Sequence, residues 1–167
     1  MALAISAHAQ GANPISQSIQ DEWNGVKQNV QRSATAMPEA KFGFKPVDSV
    51  RTFGQILAHV AGANYIFCSA ARGEKSPFAE DAFEKTATTS AAIVKALEDS
   101  FKYCDAAYAA LDDRKAAETI DGAFGSGKTA RAAALMGNTG HVQEHYGNLV
   151  TYMRINGVVP PSSAPRK

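Results

Sequence analysis

From Pro14 onward, apolar residues return every three or four positions: Ile15, Ile19, Trp23, Val26, Val30, Ala34 and Met37. That period marks one face of an α-helix, and Gln17, Gln20, Asp21, Lys27, Gln28 and Gln31 occupy the other. Pro14 suits a first helical position and Pro38 stops the run, which predicts a first helix of about 22 residues. Residues 38–51 hold breakers and no period. They form a connection from which Phe42 and Phe44 are expected to tuck onto the core.

Thr52 and Gln55 form a capping box for a second helix, with Phe53, Ile56, Val60, Ala63 and Phe67 as its inner stripe and Gly73 as its end. A polar and aromatic connection follows from Glu74 to about Thr88, with a short helical turn near Phe83. The third helix opens at Thr89 or Ser90 and buries Ile93, Leu97, Phe101, Cys104, Tyr108 and Leu111. After Asp112-Asp113-Arg114 a loop is expected as far as Gly127, with Thr129 capping the fourth helix. There Leu135, Val142, Leu149 and Asn138, His145, Tyr152 recur at heptad spacing, and Gly157 and Pro160-Pro161 end the run. No segment alternates with period two for long enough to be a strand. The pattern predicts an all-α fold, a four-helix bundle forming a single domain over residues 10–163 with 164–167 as a disordered tail.

His141 and His145 stand four residues apart on the fourth helix, so both rings leave one face a turn apart. This spacing lets one helix offer two nitrogens to one metal ion. His59 lies three residues after Ile56 and four before Ala63, so it faces the core of the second helix. A lone histidine on an apolar face is best read as a packed core residue. Three that converge from two helices are better read as ligands, because desolvation favours the neutral, ligating form of imidazole. Three neutral ligands leave positions open for water or substrate, which is the pattern of a catalytic rather than a structural site. Zinc is the first expectation and nickel the next. Glu144 is read as solvent-facing or at most a support behind a ligand, and Tyr146 and Asn148 as candidate rim groups.

Seventeen basic and sixteen acidic residues leave a net charge of +1, so electrostatics gives no case for nucleic acid as a partner. Nothing approaches the roughly 20 apolar residues of a membrane span. Gly122-Ala123-Phe124-Gly125-Ser126-Gly127-Lys128-Thr129 matches the phosphate-binding pattern G-x-x-x-x-G-K-[ST] letter for letter. The segment before it is too polar and short for the buried strand that pattern needs, so a tight interhelical loop is the better reading. Cys68 and Cys104 sit among apolar neighbours and are read first as buried free thiols, one disulfide being the alternative. Residues 1–9 are small and apolar and end in Ala7-His8-Ala9. They fit either the remnant of a signal peptide, which implies export to the periplasm, or a disordered tail on a cytoplasmic protein.

The inward His59 and the His141-x-x-x-His145 pair resemble the ligand pattern of the DinB-like (DinB/YfiT-type) four-helix proteins. The run from His141 through Tyr146-Gly147-Asn148 to Pro160-Pro161-Ser162 is particularly similar, and Phe44-Lys45-Pro46, Arg51-Thr52-Phe53-Gly54 and Leu57-Ala58-His59-Val60 match in order. The resemblance spans residues 15–163. It implies an up-down-down-up bundle, one divalent metal on His59, His141 and His145, and a homodimer. Among such proteins are metal-dependent transferases and isomerases that use low-molecular-weight thiols. Two functions of different class follow. One is a metal-dependent enzyme of thiol transferase or hydrolase type, acting on a small-molecule substrate. The other is a non-catalytic, metal-binding dimeric scaffold or stress-related protein.

Overall fold

The computed structural model describes residues 13–165. The readings made of residues 1–9, His8 among them, and of the last two residues lie outside that range. Four long helices carry the fold: α1 (Pro14–Ala36), α2 (Phe53–Arg72), α4 (Ser90–Ala109) and α6 (Arg131–Ile155). Two short helices, α3 (Ala82–Thr86) and α5 (Asp113–Ala116), sit in the connections.

Cross-helix hydrogen bonds fix the directions. The Arg51 carbonyl, just before α2, accepts from Tyr152 Oη near the end of α6 at 2.9 Å, and Arg131 at the start of α6 donates to the Ala71 carbonyl. Those two helices are therefore antiparallel. Asn64 meets Ser100 and Ser69 meets Tyr103, so α2 and α4 run parallel. Ser16 at the start of α1 binds Asp113, just past the end of α4. The topology is up-down-down-up, as the resemblance implied.

Helix boundaries follow local chemistry. The Thr52–Gln55 capping box is formed in both directions, Gly73 closes α2 at φ 72°, and Thr89 Oγ1 caps α4. The core is a single apolar cluster along the bundle axis, with Trp23 stacked on Tyr108 at 4.5 Å and edge-on to Phe101 at 5.5 Å. Phe42 packs on Phe53 and Phe44 on Tyr152, fastening the first connection to the bundle as expected.

Four expectations are corrected. Cys68 and Cys104 are joined in a disulfide between α2 and α4, with their Cα atoms 5.3 Å apart. The parallel register of the two helices brings these positions face to face, which neither helix shows alone. Strands do occur: β1 (Thr119–Asp121) pairs antiparallel with β2 (Lys128–Ala130). Each has three residues, and only Ile120 is buried, too short a run for alternation to reveal. Thr129 lies in β2 opposite Ile120 instead of capping α6, which begins two residues later without a side-chain cap. The segment after α4 is not plain loop, since Asp112 caps α5 there through the Lys115 amide.

The phosphate-loop lookalike forms the turn of this hairpin. Gly122 N donates to Gly127 O at 2.7 Å, and Gly125 and Gly127 take positive φ. An antiparallel hairpin turn is not the strand-to-helix cradle of a nucleotide site. No helix among the described residues is long and apolar enough to cross a membrane.

Candidate metal centre

The second helix and the fourth long helix place the three histidines round one point. His59 Nε2 lies 3.2 Å from His141 Nε2, and His145 Nε2 lies 3.2 Å from the same atom. All three ligating atoms fall within 4.8 Å of one another. His59 and His145 are buried at 6% and 8% exposure, and His141 is half-buried. The structure thus brings together all three histidines singled out from the sequence.

The chemistry of this donor set fits a cation. Glu84 Oε1 accepts from His59 Nδ1 at 3.0 Å; a carboxylate can only accept, so in neutral His59 the proton sits on Nδ1 and Nε2 bears a lone pair. His141 has at most one Nε2 proton for two nitrogen neighbours at 3.2 Å, and its own Nδ1 is buried without a partner. However the protons are placed, three imidazoles that converge in this way leave at least one inward nitrogen without a hydrogen-bond partner. A tetrahedral ion with ligands at 2.0–2.1 Å spaces its nitrogens about 3.3 Å apart, close to the two separations seen here. A group of this kind could hold a metal ion.

Electrostatics keeps the rings in the ligating form. Burial, then the neighbouring His145, His59 and Arg51, pushes His141 down to about 3. Burial and His59 lead the causes that push His145 down to about 4, against an opposing pull from Glu144 and Glu84.

Around the rings stands a set of holders that the sequence reading missed. Glu84, on α3, accepts from His59 through Oε1 and from Arg51 Nε through Oε2 at 2.9 Å. Carboxylate support behind a histidine orients the ring and raises its basicity as a ligand. Glu80 Oε1 lies 3.7 Å from His59 Nε2. Both glutamates belong to the connection between α2 and α4, where no period foretold their direction. The short turn expected near Phe83 was the available signal, since it carries Glu84. On the far side of the site, Phe67 lies 5.8 Å from His141, and Phe124 of the hairpin turn covers Phe67 at 5.1 Å.

Of the rim candidates, Asn148 is exposed with Nδ2 3.4 Å from His145 Nδ1, and Glu144 is exposed as expected. Tyr146 is not a rim group. It is buried, and its hydroxyl accepts from the Ser162 amide, tying the C-terminal segment down. A cleft of about 720 Å³ reaches His145, lined by Lys45, Arg51, Gln55, Glu144, Asn148 and Tyr152 among others. Its walls are polar and carry both signs of charge.

No protein of curated function matches the sequence. Solved structures do. A DinB-like protein from Bacillus cereus ATCC 10987 superposes with a TM-score of 0.68 at 16% identity, over 87% of this chain and 95% of that one. A DinB-like protein from Bacillus subtilis gives 0.68 at 20% identity, over 90% and 99%. A mycothiol-dependent maleylpyruvate isomerase gives 0.66 at 16% identity over 80% of this chain, which spans 60% of that longer protein. At such identities these likenesses establish the fold. The model of the DinB superfamily matches residues 22–149, a stretch that contains all three histidines, and the chain belongs to that superfamily.

Proposed function

We propose that the protein is a metal-dependent enzyme that holds one divalent ion through His59, His141 and His145. The observation that carries this reading is the convergence of three Nε2 atoms that no placement of protons satisfies together, beside a polar cleft. Zinc is the favoured ion and nickel the next, on the all-imidazole donor set. When bound, such an ion supplies Lewis acidity to a water or thiol nucleophile and to developing negative charge.

The chain's own residues do the rest. Glu84 holds His59 in the tautomer that presents Nε2, and burial keeps His141 and His145 neutral. Phe67 and Phe124 exclude water from one side, while the cleft beside His145 admits a small polar molecule from the other.

Hydrolytic and thiol-transfer chemistry both suit this site. The likeness in fold to a mycothiol-dependent maleylpyruvate isomerase supports a thiol cosubstrate. The Cys68–Cys104 disulfide supports an oxidising compartment, and with it export and hydrolysis. We favour the hydrolase. The same reading carries the expectation of a homodimer, which light scattering answers directly.

The test is turnover by chelated protein reloaded with zinc or nickel, against chromogenic esters, amides and phosphoesters, with and without a low-molecular-weight thiol. Metal-dependent turnover without thiol is the expected result. Turnover only with thiol assigns the transferase. No turnover, together with a lower melting temperature after chelation, leaves the scaffold in which the metal only ties two helices together.

A further inference from the structure

We propose that Glu80 is a fourth, carboxylate ligand of this centre, a proposal that rests on the metal-centre reading above. The Glu84 contact leaves the Nε2 lone pair of neutral His59 facing inward, and Glu80 Oε1 stands 3.7 Å from that same atom. Two acceptors face each other with no proton between them. A cation lying between turns this repulsion into attraction. That one separation is near the roughly 3.3 Å expected between two ligand atoms of one tetrahedral ion, while the carboxylate as it stands lies outside the group of three histidine nitrogens within 4.8 Å of one another and must swing inward to bind. Among the described residues, Glu80 has no other ion pair and no side-chain hydrogen bond that would account for its position.

The backbone that carries Glu80 is built into place. It presses on α2 at Gly62, one turn beyond His59, where a Cβ would lie 1.8 Å from the Glu80 carbonyl oxygen. Any residue but glycine there would push the segment off the helix. On either side of Glu80 in sequence, Phe78 and Phe83 pack on Tyr65 at 4.8 and 5.8 Å. Glu84 then ties the following turn to His59 and Arg51. The side chain of Glu80 is 42% exposed, so it stands at the mouth of the site, with room to swing onto the ion. Three neutral imidazoles would leave an ion with its full double charge in a half-buried place, and one carboxylate halves that charge.

The test measures zinc and cobalt(II) affinity by competition with a chromophoric chelator, and the visible spectrum of the cobalt form. The proteins are wild type, Glu80→Gln and His141→Ala. Because Glu80 is partly exposed, circular dichroism and the melting temperature of metal-free Glu80→Gln should match wild type. The variant should still take one ion per chain, at least about tenfold more weakly, with altered cobalt bands. Unchanged affinity in Glu80→Gln, with the ion lost from His141→Ala, overturns the proposal and leaves the three-histidine centre standing. Weaker binding with an unchanged cobalt spectrum also overturns it, since Glu80 would then be only a counter-charge. Failure of wild type to bind either ion removes both readings.

Discussion

Breaking the Cys68–Cys104 disulfide should cost the protein about 4 kcal/mol. The bond joins α2 to α4 across a sequence separation of 36. In the chain-entropy account, closing a loop of that length removes about 13 cal/mol/K from the unfolded chain, or about 4 kcal/mol at 25 °C. Both cysteines are fully buried, with Asn138 Nδ2 3.7 Å from each sulfur, so the native packing around the bridge is already tight. Reduction keeps every heavy atom and breaks only the S–S bond, adding a hydrogen to each sulfur, which makes it the cleaner perturbation. Urea denaturation of oxidised and reduced wild type, with Cys68→Ala/Cys104→Ala as a third arm, measures the difference. At this chain length 4 kcal/mol corresponds to a fall of roughly 8–16 °C in melting temperature. The double alanine variant should lose somewhat more, because it also gives up buried sulfur contacts. Oxidised and reduced protein agreeing within about 1 kcal/mol, with the bond shown intact by mass in the oxidised sample, would refute the loop-closure reasoning.

Other consequences follow from the site. Replacing Gly62 by alanine sets a methyl 1.8 Å from the Glu80 carbonyl oxygen, so the connection must lift. Thermal denaturation should show a loss of about 1–3 kcal/mol, and an unchanged midpoint would contradict the close approach. Glu84→Ala removes the acceptor that fixes His59 and releases Arg51. Competition titration should find metal binding about 10–100-fold weaker, and equal affinity would mean that Glu84 does not orient the ring. His141 and His145 are depressed in the folded protein, so their protonation favours unfolding: metal-free protein should be fully stable above about pH 6.5 and weaken as pH falls toward 4. At pH 5 the cost is about 2 kcal/mol for each ring, since both folded values lie below that pH. Urea curves at pH 7.5 and pH 5 that coincide for wild type would contradict the burial of these rings.

Much of this architecture was legible because its signals are local. Pro38, the Thr52–Gln55 box, Gly73 and Thr89 mark helix ends through backbone chemistry that does not depend on the rest of the chain. The histidine trio was legible for a related reason, since four-residue spacing and an inward stripe fix directions on a helix before the helices pack. What escaped notice depends on how distant segments meet. Disulfide pairing needs the parallel register of α2 and α4. The hairpin at 119–130 is held by three residue pairs and a glycine-rich turn, and of its strand residues only Ile120 is buried. Glu80 and Glu84 lie in a connection whose docking depends on Gly62, so no pattern within residues 74–88 shows that their carboxylates reach His59. Phe124 is similar: it takes a positive φ of 55° on the hairpin turn, and only the assembled structure brings it to Phe67 beside the site.

The most direct test is metal content by plasma mass spectrometry on protein purified without chelator, beside His59→Ala, His141→Ala and His145→Ala. The account predicts close to one equivalent of zinc or nickel per chain in wild type, and its loss in each variant, while circular dichroism shows all four proteins helical. Wild type without metal that also takes up none on titration would contradict the account. The three histidines would then be packing residues in a helical bundle.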